Sequence, residues 1–405
     1  KNADWLSDDD NAESTVITEL RDRLTKLEQQ VLADLAASQA QMLSLLQRIV
    51  DIDSGSYHKS GVDAVIAQLH GHLEHHGVAC EIHPNAQAGN CMRASVAGHG
   101  KPVVLMGHCD TVFGEGTVAQ RPFRIEGDMA YGPGVADMKA GLVINSFVLS
   151  AFARAGIEAP MVGLYTADEE IASPASRPFI ETHAVNARAV FNSEPGRPSG
   201  NVVTGRKGAM FVDCEVTGIS AHSGVNHQEG ASAIEALCRK VVQMHRLTNY
   251  ESGTTVNVGL IQGGVSVNTV APQARASIDV RFKTSEAMEE VKARLAAIMG
   301  DVDVHGTCGH ITQQRYFLPL VQSEASKRLF EAYVDSAADI GFGTTGEYTG
   351  GSADSGFTAA AGVPTLCGTG PVGGKVHTAD EWLKVSSMVP RAQAIALTAL
   401  RMLRG

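Results

Sequence analysis

Apolar residues recur with two different spacings along the chain, and each spacing predicts one kind of element. Residues 103–106, 161–165 and 189–191 are short continuous apolar runs, as expected for strands that are buried on both faces. Residues 139–155 instead carry apolar side chains at steps of three and four, which predicts a helix. This alternation predicts an α/β fold with a mostly parallel sheet and helices on both of its faces.

A different pattern begins near residue 205. The segments with a strand-like pattern are 211–216, 256–261, 274–282 and 302–305, and the helical ones are 229–247 and 285–299. Ser285 is the expected N-cap of the last helix. The order β-α-β-β-α-β is that of a ferredoxin-like domain. We therefore expect such a domain at 205–315, inserted between two parts of the α/β domain, 1–204 and 316–405.

The N-terminal stretch, residues 1–36, is predicted to be a helical extension. Its apolar positions at helical spacing are Val16, Leu20, Leu24, Leu27, Val31 and Leu35. A second apolar stretch, residues 42–52, continues the helical pattern. The stripe predicts either an amphipathic helix on its own domain or a coiled-coil-like contact with another subunit. Fewer than four clean heptads are present, so both interpretations stay open.

The composition narrows the classes of function. There are 33 basic and 44 acidic residues, a net charge of −11, which argues against a nucleic-acid partner. The seven cysteines are widely spaced and include no Cys-x-x-Cys pair, which favours reduced thiols. No apolar run approaches the ~20 residues of a membrane span. We expect a cytoplasmic protein, or a periplasmic or secreted one if a signal peptide was removed.

Several side chains that commonly bind metals follow the predicted strands or a glycine-rich turn. They are His108, Asp137, Glu169, Glu170, Glu194 and His377. Taken singly, each has an ordinary explanation: a turn histidine, a helix N-cap or a solvated acidic run. Because an α/β sheet places its site at the carboxyl ends of the strands, the positions together predict one site.

Cleaving an amide with water is the chemistry that such a set can support. Two metal ions ~3.5–4 Å apart polarise the carbonyl and acidify a shared water molecule. They need a bridging carboxylate and about two further ligands each. The residues that meet this count are His108, Asp137, Glu170, Glu194 and His377. Glu169 is expected to diverge from Glu170 in extended chain and to act as general base. Zn²⁺ suits these ligands, as do Co²⁺ and Mn²⁺.

At these motifs the chain resembles the M20 family of metallopeptidases, most nearly its glutamate carboxypeptidase branch. The motifs are HCDTV at 108–112, YGPGVADMKAG at 131–141, ADEE at 167–170, SEP at 193–195 and VHTADE at 376–381. The resemblance implies that Asp137 bridges two zinc ions, and that His108 and Glu194 complete one of them. Glu170 and His377 would complete the other ion.

The same resemblance assigns roles to residues around the ions and to the inserted domain. Asp110 would orient His108, and Glu169 would be the general acid and base. In the family the inserted domain forms a dimer interface and a lid, which implies a homodimer through residues 205–315. The N-terminal helix suggests a larger oligomer as a further option. The segment SAHSG places His222 where the family histidine steadies the oxyanion in the partner's site.

Candidate substrate-binding residues also follow from the resemblance. Asn268 and Arg281 match positions associated with substrate binding. Arg315 is a second candidate partner for a substrate carboxylate, with an ordinary salt bridge as the equal alternative. Gly350 and Gly351 are expected to let the substrate lie close to the backbone.

One pocket departs from that of the glutamate-selective relatives. Asn201, Val203 and Ala353 stand where those relatives place Lys, Ser and Thr. A pocket built from them is less polar and lacks one positive charge. The hypothesis is therefore that the released residue is neutral or apolar rather than glutamate.

The expected function is hydrolysis of an amide bond that releases a C-terminal amino acid from a small peptide or N-acyl amino acid. An N-acyl-amino-acid deacylase or a dipeptidase with the same metal centre is the first alternative. An inactive metal-binding homologue is an alternative from a different class. Glu169 argues against it, because a protein that only binds metal needs no free base beside the ions.

Overall fold

The structure, a computed structural model, describes residues 25–404. Its largest element is an eight-stranded mixed sheet. In spatial order the strands are Ala79–His83, Cys91–Val96, Met161–Thr166, Val103–His108, Ala189–Asn192, Thr365–Cys367, Val202–Arg206 and Gly346–Thr349. The four strands from Met161–Thr166 to Thr365–Cys367 run parallel, whereas Cys91–Val96 pairs antiparallel with both of its neighbours. The predicted, mostly parallel α/β domain is confirmed.

Helices cover both faces of this sheet. Every residue of Val103–His108 and of Met161–Thr166 is buried. Because successive side chains of a strand point to opposite faces, burial of all of them requires packing on both sides. The helices of this domain are Lys26–Ala37, Gln39–Val50, Lys59–His75, Thr117–Gln120, Ala140–Arg154, Arg177–Ala184, Glu324–Ile340, Ser355–Ala360 and Met388–Arg404.

The segment Val135–Arg154 forms the centre of the domain. It is long and apolar enough to cross a membrane by composition, contrary to the sequence expectation, but 94% of its apolar 18-residue window is buried inside the protein. Its helical part, Ala140–Arg154, packs against strands Val103–His108 and Met161–Thr166. The segment therefore has the burial of a core helix.

The inserted domain has the predicted ferredoxin-like architecture. Its antiparallel sheet has the order Thr255–Gly263, Gln273–Phe282, Gly208–Thr217 and Cys308–Phe317. Helices Ala233–His245 and Ser285–Gly300 pack against this sheet. Along Gln273–Phe282, alternate residues from Ala274 to Phe282 are buried under the helices. The other residues of that strand, including Arg281, lie on the opposite face of the sheet.

Two details predicted for this domain are wrong. Residues 302–305 are not a strand, since Val302 is 66% exposed and Gly306, at φ 84°, turns the chain into the last strand, Cys308–Phe317. The N-cap of the second helix is Thr284 rather than Ser285. Thr284 is extended, and its hydroxyl accepts a hydrogen bond from the Ala287 amide, as the N-cap residue does.

The described part of the N-terminal extension lies on its own domain. Its helix begins at Lys26 after an extended N-cap, Thr25, whose hydroxyl accepts from the Glu28 amide. Val31 and Leu35 are fully buried in the main core. For this part the amphipathic-helix interpretation is therefore supported. The predicted positions Val16, Leu20 and Leu24 lie outside the described residues.

A small four-stranded sheet joins distant parts of the α/β domain. Its strands, in spatial order, are Gly373–Gly374, Trp382–Lys384, Met129–Tyr131 and Arg124–Glu126. All of its pairs are antiparallel. Because Asp137 follows one of these strands and His377 lies between two others, this sheet brings their segments together.

Because of His72, the free energy of unfolding is expected to decrease when the pH is lowered from neutral. The side chain lies against the Phe147 ring, with 4.4 Å between ring centroids. Burial, followed by the charges of His76 and Arg154, lowers the pKa of His72 to about 3. The unfolded chain takes up this proton near pH 6.5, whereas the folded chain does not. Stability is therefore present above that pH and lost as the pH falls from 6.5 towards 3.

His72→Gln should remove this part of the pH dependence. From pH 7.5 to pH 5, the free energy of unfolding should fall by roughly 1–2 kcal/mol more in the parent than in the variant, allowing for the partial exposure of the ring. Urea unfolding at both pH values measures the difference. His99→Gln, a change at an exposed histidine, is the matched control. Equal losses in the parent and in His72→Gln would refute the assignment.

Candidate metal centre

The strand ends deliver three of the candidate side chains to one edge of the large sheet. His108 is the last residue of its strand, and Glu194 follows Ala189–Asn192 by two residues. Glu170 follows Met161–Thr166 in a short 3₁₀ helix. These strands are parallel neighbours, so their carboxyl ends meet at the same edge.

Asp137 and His377 reach the same place from loops. Asp137 follows Gly134, which has φ 72° and whose added Cβ would lie 2.4 Å from Thr111 Cγ2. Only glycine fits that turn without strain. His377 itself has φ 63°, an uncommon conformation for a residue other than glycine. Backbone conformations of this kind cluster at functional sites.

The Asp137 carboxylate lies between the two imidazoles. Its Oδ1 is 3.1 Å from His108 Nε2, and its Oδ2 is 3.2 Å from His377 Nε2. Glu194 Oε1 lies 3.6 Å from His108 Nε2, and Glu170 Oε2 lies 3.2 Å from His377 Nε2. The Asp137 carboxylate thus lies between two pairs of side chains, His108 with Glu194 and His377 with Glu170.

Glu169 lies at the edge of the first group. Its Oε2 is 3.7 Å from His108 Nε2. Glu169 and Glu170 occupy a 3₁₀ helix, so the expectation of extended chain at this point is wrong. They nevertheless diverge, because Glu170 faces His377 while Glu169 faces His108. The ligand atoms of His108, Glu169 and Glu194 lie within 4.8 Å of one another, as do those of His108, Asp137 and Glu170.

The charges of these residues favour a cation. Burial, and then the charge of Asp137, raises the pKa of Glu194 to about 8 and that of Glu170 to about 7. Burial also raises the pKa of Glu169 well above its ordinary value. Hydrogen bonds to Asp137 and Glu170 raise the pKa of His377 to about 10. Carboxylates buried this densely stay ionised only beside positive charge.

The donor set fits divalent metal ions. Glu170 Oε1 is buried without a hydrogen-bond partner among the residues that the structure describes. A buried carboxylate oxygen of this kind is costly unless a further group binds it. Imidazole and carboxylate donors, with no thiolate among them, suit Zn²⁺, Co²⁺ or Mn²⁺. The residues present therefore fit the metal that the sequence predicts.

Asp110 holds both the histidine and the glutamate segment. Its Oδ1 lies 3.3 Å from His108 Nδ1 and accepts a hydrogen bond from the Glu169 amide at 3.0 Å. Its Oδ2 accepts from the Glu170 amide at 3.1 Å and from the Ser56 hydroxyl at 2.6 Å. Asp110 is completely buried, so these contacts fix the imidazole relative to the two glutamates.

Glu381 is a supporting residue that the sequence reasoning missed. Its carboxylate accepts hydrogen bonds from the amides of Gly134, Ala136 and Asp137, at 3.2, 2.9 and 2.9 Å. It is 1% exposed. Glu381 lies four residues after His377, so it ties the His377 segment to the loop that carries Asp137. Its position as the last residue of the VHTADE motif was the available signal.

A cavity of about 310 Å³ opens beside these residues and is lined by three arginines, Arg197, Arg206 and Arg281. Within the described chain, Arg281 is paired with Asp279 through two contacts of 2.6 and 2.7 Å, and Arg197 lies 3.6 Å from Glu347.

Arg206, the third of these arginines, was missed from the sequence. It is 7% exposed and donates to the Gly351 carbonyl and to Cys367 Sγ. No carboxylate within residues 25–404 forms an ion pair with it. Gly351 and Arg281, two of the residues predicted to bind substrate, line the cavity, and Arg206 adds the unpaired positive charge.

The other predicted binding residues lie apart from this cavity. Arg315 lies 3.9 Å from Asp213 on the sheet of the inserted domain, as expected for the alternative of an ordinary salt bridge. His222 and Asn268 are neighbours in exposed loops of the inserted domain, where His222 Nδ1 accepts from the Gly224 amide at 3.1 Å. Gly350 is exposed and does not line the cavity.

The pocket proposed from Asn201, Val203 and Ala353 is wrong. Val203 and Ala353 are buried in a small apolar cluster with Leu320 and Cys367 and are not among the residues that line the cavity. Asn201 instead donates to Glu347 at 2.8 Å. Arg206, three residues later in the same strand, is the side chain that lines the cavity.

The family follows from comparison with known proteins. The model of peptidase family M20/M25/M40 matches residues 104–401. The chain belongs to this family and is a metallopeptidase-type hydrolase that acts on amide bonds.

Individual relatives and structures agree with this assignment. Carboxypeptidase G2 of Pseudomonas sp. is 27% identical over 372 residues, 87% of each chain. Acetylornithine deacetylase of Proteus mirabilis is 30% identical over 54% of this chain and 60% of the relative. The fold is similar to that of an M20 family metallo-carboxypeptidase from Sulfolobus solfataricus, with a TM-score of 0.71 and 18% identity over 89% of this chain and 98% of that one.

Proposed function

We propose that the protein is a dinuclear, zinc-dependent carboxypeptidase-like hydrolase that releases a C-terminal amino acid from an N-acyl or peptidyl substrate. The observation that carries this proposal is the Asp137 carboxylate, which lies between His108 and His377 with one oxygen towards each. Similarity to carboxypeptidase G2 over most of the chain supports the carboxypeptidase class. Co²⁺ or Mn²⁺ would fit the same ligands.

Each ion would be held by one histidine, one glutamate and the shared Asp137. His108 and Glu194 would hold the first ion, and His377 and Glu170 the second. When bound, such a pair polarises the scissile carbonyl and lowers the pKa of a water molecule. Asp110 and Glu381 keep the ligands in place through the contacts described above.

Glu169 would move the protons. It faces the His108 side of the cluster and lines the cavity. Burial raises the pKa of its carboxyl well above the ordinary value, which makes it a stronger base once it is ionised. Glu169 would take the proton of the attacking water and pass it to the leaving nitrogen. The resulting amine and acid then separate.

The arginine cavity would hold the carboxylate of the released residue. Arg206 and Arg281 both line it, and a guanidinium matches a carboxylate through two parallel hydrogen bonds. Two of the three cavity arginines are already paired with Asp279 and Glu347, which leaves one positive charge for one carboxylate. We therefore still propose that the released residue is neutral. The support is now the pairing of the arginines rather than the pocket of Asn201, Val203 and Ala353.

This proposal predicts a preference for neutral released residues. N-acetyl-Leu and N-acetyl-Phe should be hydrolysed with kcat/KM about tenfold above that of N-acetyl-Glu, because a second carboxylate would lose hydration without gaining a cation. Steady-state rates of amino-acid release measure this. A strong preference for N-acetyl-Glu would overturn the charge assignment and leave the metal centre untouched.

A deacylase of the same metal centre is the second candidate. The similarity to acetylornithine deacetylase, at 30% identity, supports it. The two activities differ in which half of the substrate is recognised. Two series of substrates separate the activities. One series keeps the acyl group and varies the amino acid, and the other keeps the amino acid and varies the acyl group.

We also propose a homodimer through the inserted domain. Its edge strand Thr255–Gly263 and the following loop expose Leu260, Ile261, Val265 and Val267. Exposed apolar side chains on an edge strand are typical of an interface. In such a dimer, His222 and Asn268 would reach the partner's site. The molar mass in solution, measured by light scattering, tests this.

A further inference from the structure

A second cavity adjoins the proposed catalytic centre. It has a volume of about 420 Å³, and Glu170 is the residue that lines both this cavity and the arginine cavity. Its wall includes Tyr57, Val112 and Phe113. Tyr57 is 81% exposed and Val112 is 42% exposed, so apolar surface faces solvent beside a proposed metal ligand. Exposed apolar surface in a concave site commonly marks where a ligand binds.

The two cavities differ in charge. Among the described residues, no lysine or arginine lines the second cavity, whereas three arginines line the first. The acidic residues of the second cavity are Glu115 and Glu170. Arg121 lies close by, but its guanidinium is stacked on the Phe113 ring, 4.7 Å from the centroid. The second cavity therefore suits an uncharged group and disfavours an anionic one.

The position of the cavities gives the substrate a direction. An amide that is cut at the Asp137 cluster has a carboxylate arm on its nitrogen side and an acyl arm on its carbonyl side. The carboxylate arm would meet Arg206, which forms no ion pair with a carboxylate within residues 25–404. The acyl arm would then extend past Glu170, which lines both cavities.

We propose that this second cavity, the acyl cavity, binds the acyl group of the substrate and selects an uncharged, apolar one. The proposal rests on the proposed function. Tyr57, Val112 and Phe113 would remove the methylene groups of the acyl chain from water, which favours long chains over acetyl. A carboxylate at the end of the acyl group would meet Glu115 and find no lysine or arginine among the described lining residues.

The test compares N-acyl-leucines that differ only in the acyl group: acetyl, butanoyl, succinyl and octanoyl. For the parent protein, kcat/KM for octanoyl should exceed that for acetyl by roughly 10- to 100-fold. The butanoyl compound should exceed the succinyl compound, its closest anionic counterpart, by about tenfold. Leucine release measured in the metal-loaded protein gives all four values.

A variant then ties the preference to the acyl cavity. Tyr57→Ser combined with Val112→Ser should lower the octanoyl-to-acetyl ratio by about tenfold. Both side chains are exposed, so the fold and the metal content should be retained. Tyr250→Ser removes a tyrosine that is 85% exposed on the inserted domain, and it should leave the ratio unchanged.

The outcomes separate the two proposals. If no leucine is released from any of the compounds, the proposed function fails and this inference fails with it. If leucine is released but the acyl group makes no difference, or if the double variant keeps the parent ratio, the acyl cavity alone is refuted. A change of molar mass in the double variant would show that this surface is a subunit interface instead.

Discussion

Glu169→Gln is expected to lower kcat for amino-acid release by about 10²- to 10⁴-fold, while the protein still binds about as much metal as the parent. The amide of glutamine has nearly the size of the carboxylate but cannot accept the proton of water. The fold should persist, because Asp110 holds the Glu169 segment through the backbone amides of residues 169 and 170. Steady-state kinetics and metal analysis of the same preparation measure the two quantities.

Glu170→Gln is the matched control for this change. It makes the same carboxylate-to-amide replacement at the neighbouring residue. Glu170 Oε2, however, lies 3.2 Å from His377 Nε2, and Glu170 is assigned to a metal ion. Its metal content should fall along with its activity. If Glu169→Gln instead lost metal while Glu170→Gln kept it, the two roles would have to be exchanged. If Glu169→Gln kept its turnover, the assignment of Glu169 to proton transfer would be refuted.

Glu381→Gln is expected to weaken metal binding or activity by about 10- to 100-fold, although Glu381 is not itself assigned to a metal ion. Its carboxylate accepts three backbone amides of the loop that carries Asp137. The glutamine side chain has one acceptor oxygen instead of two, so at least one of these amides is left without its partner. The loop then no longer holds Asp137 between the two histidines. Metal titration of the metal-free protein measures the affinity directly.

Asp380→Asn provides the control for Glu381. Asp380 is the preceding residue and is exposed, and its carboxylate lies 3.8 Å from Lys375 Nζ. It should bind metal like the parent. A parent-like metal affinity in Glu381→Gln would show that the three hydrogen bonds do not position Asp137. A loss of fold, seen as a lowered Tm in the metal-free protein, would assign Glu381 to stability instead.

The ligands of the proposed metal centre were accessible from the sequence because three of them follow buried strands. Continuous apolar runs mark such strands, and the polar residue that follows each run marks its carboxyl end. His108, Glu170 and Glu194 were found in this way, and the structure brings them to one edge of the sheet. The β-α-β-β-α-β order of the inserted domain was found by the same periodicity.

Contacts between distant segments could not be predicted from the sequence. Glu381 binds amides about 245 residues earlier in the chain, and nothing in its own surroundings reveals that partner. The pocket proposed from Val203 failed for a related reason. A sequence match gives a position along a strand, but not the distant residues that bury its side chain, here Leu320 and Cys367. Arg206, three residues further, is the side chain that reaches the cavity.

Local geometry explains the remaining errors. Residues 302–305 have apolar residues at alternate positions but lie outside the sheet, because the turn at Gly306 places the last strand later. Glu169 and Glu170 diverge as expected, but in a 3₁₀ helix rather than in extended chain. Short segments of this kind carry too few positions for a period to be recognised.

The central claim is that five side chains from separate segments hold a pair of metal ions on which hydrolysis depends. The most direct measurement is the metal content per chain, determined together with amino-acid release from N-acetyl-Leu before and after treatment with a chelator. We predict about two zinc-type ions per chain, loss of release when they are removed, and recovery when Zn²⁺ is added back. Full activity in the metal-free protein would contradict the claim, and so would a protein that never binds more than one ion.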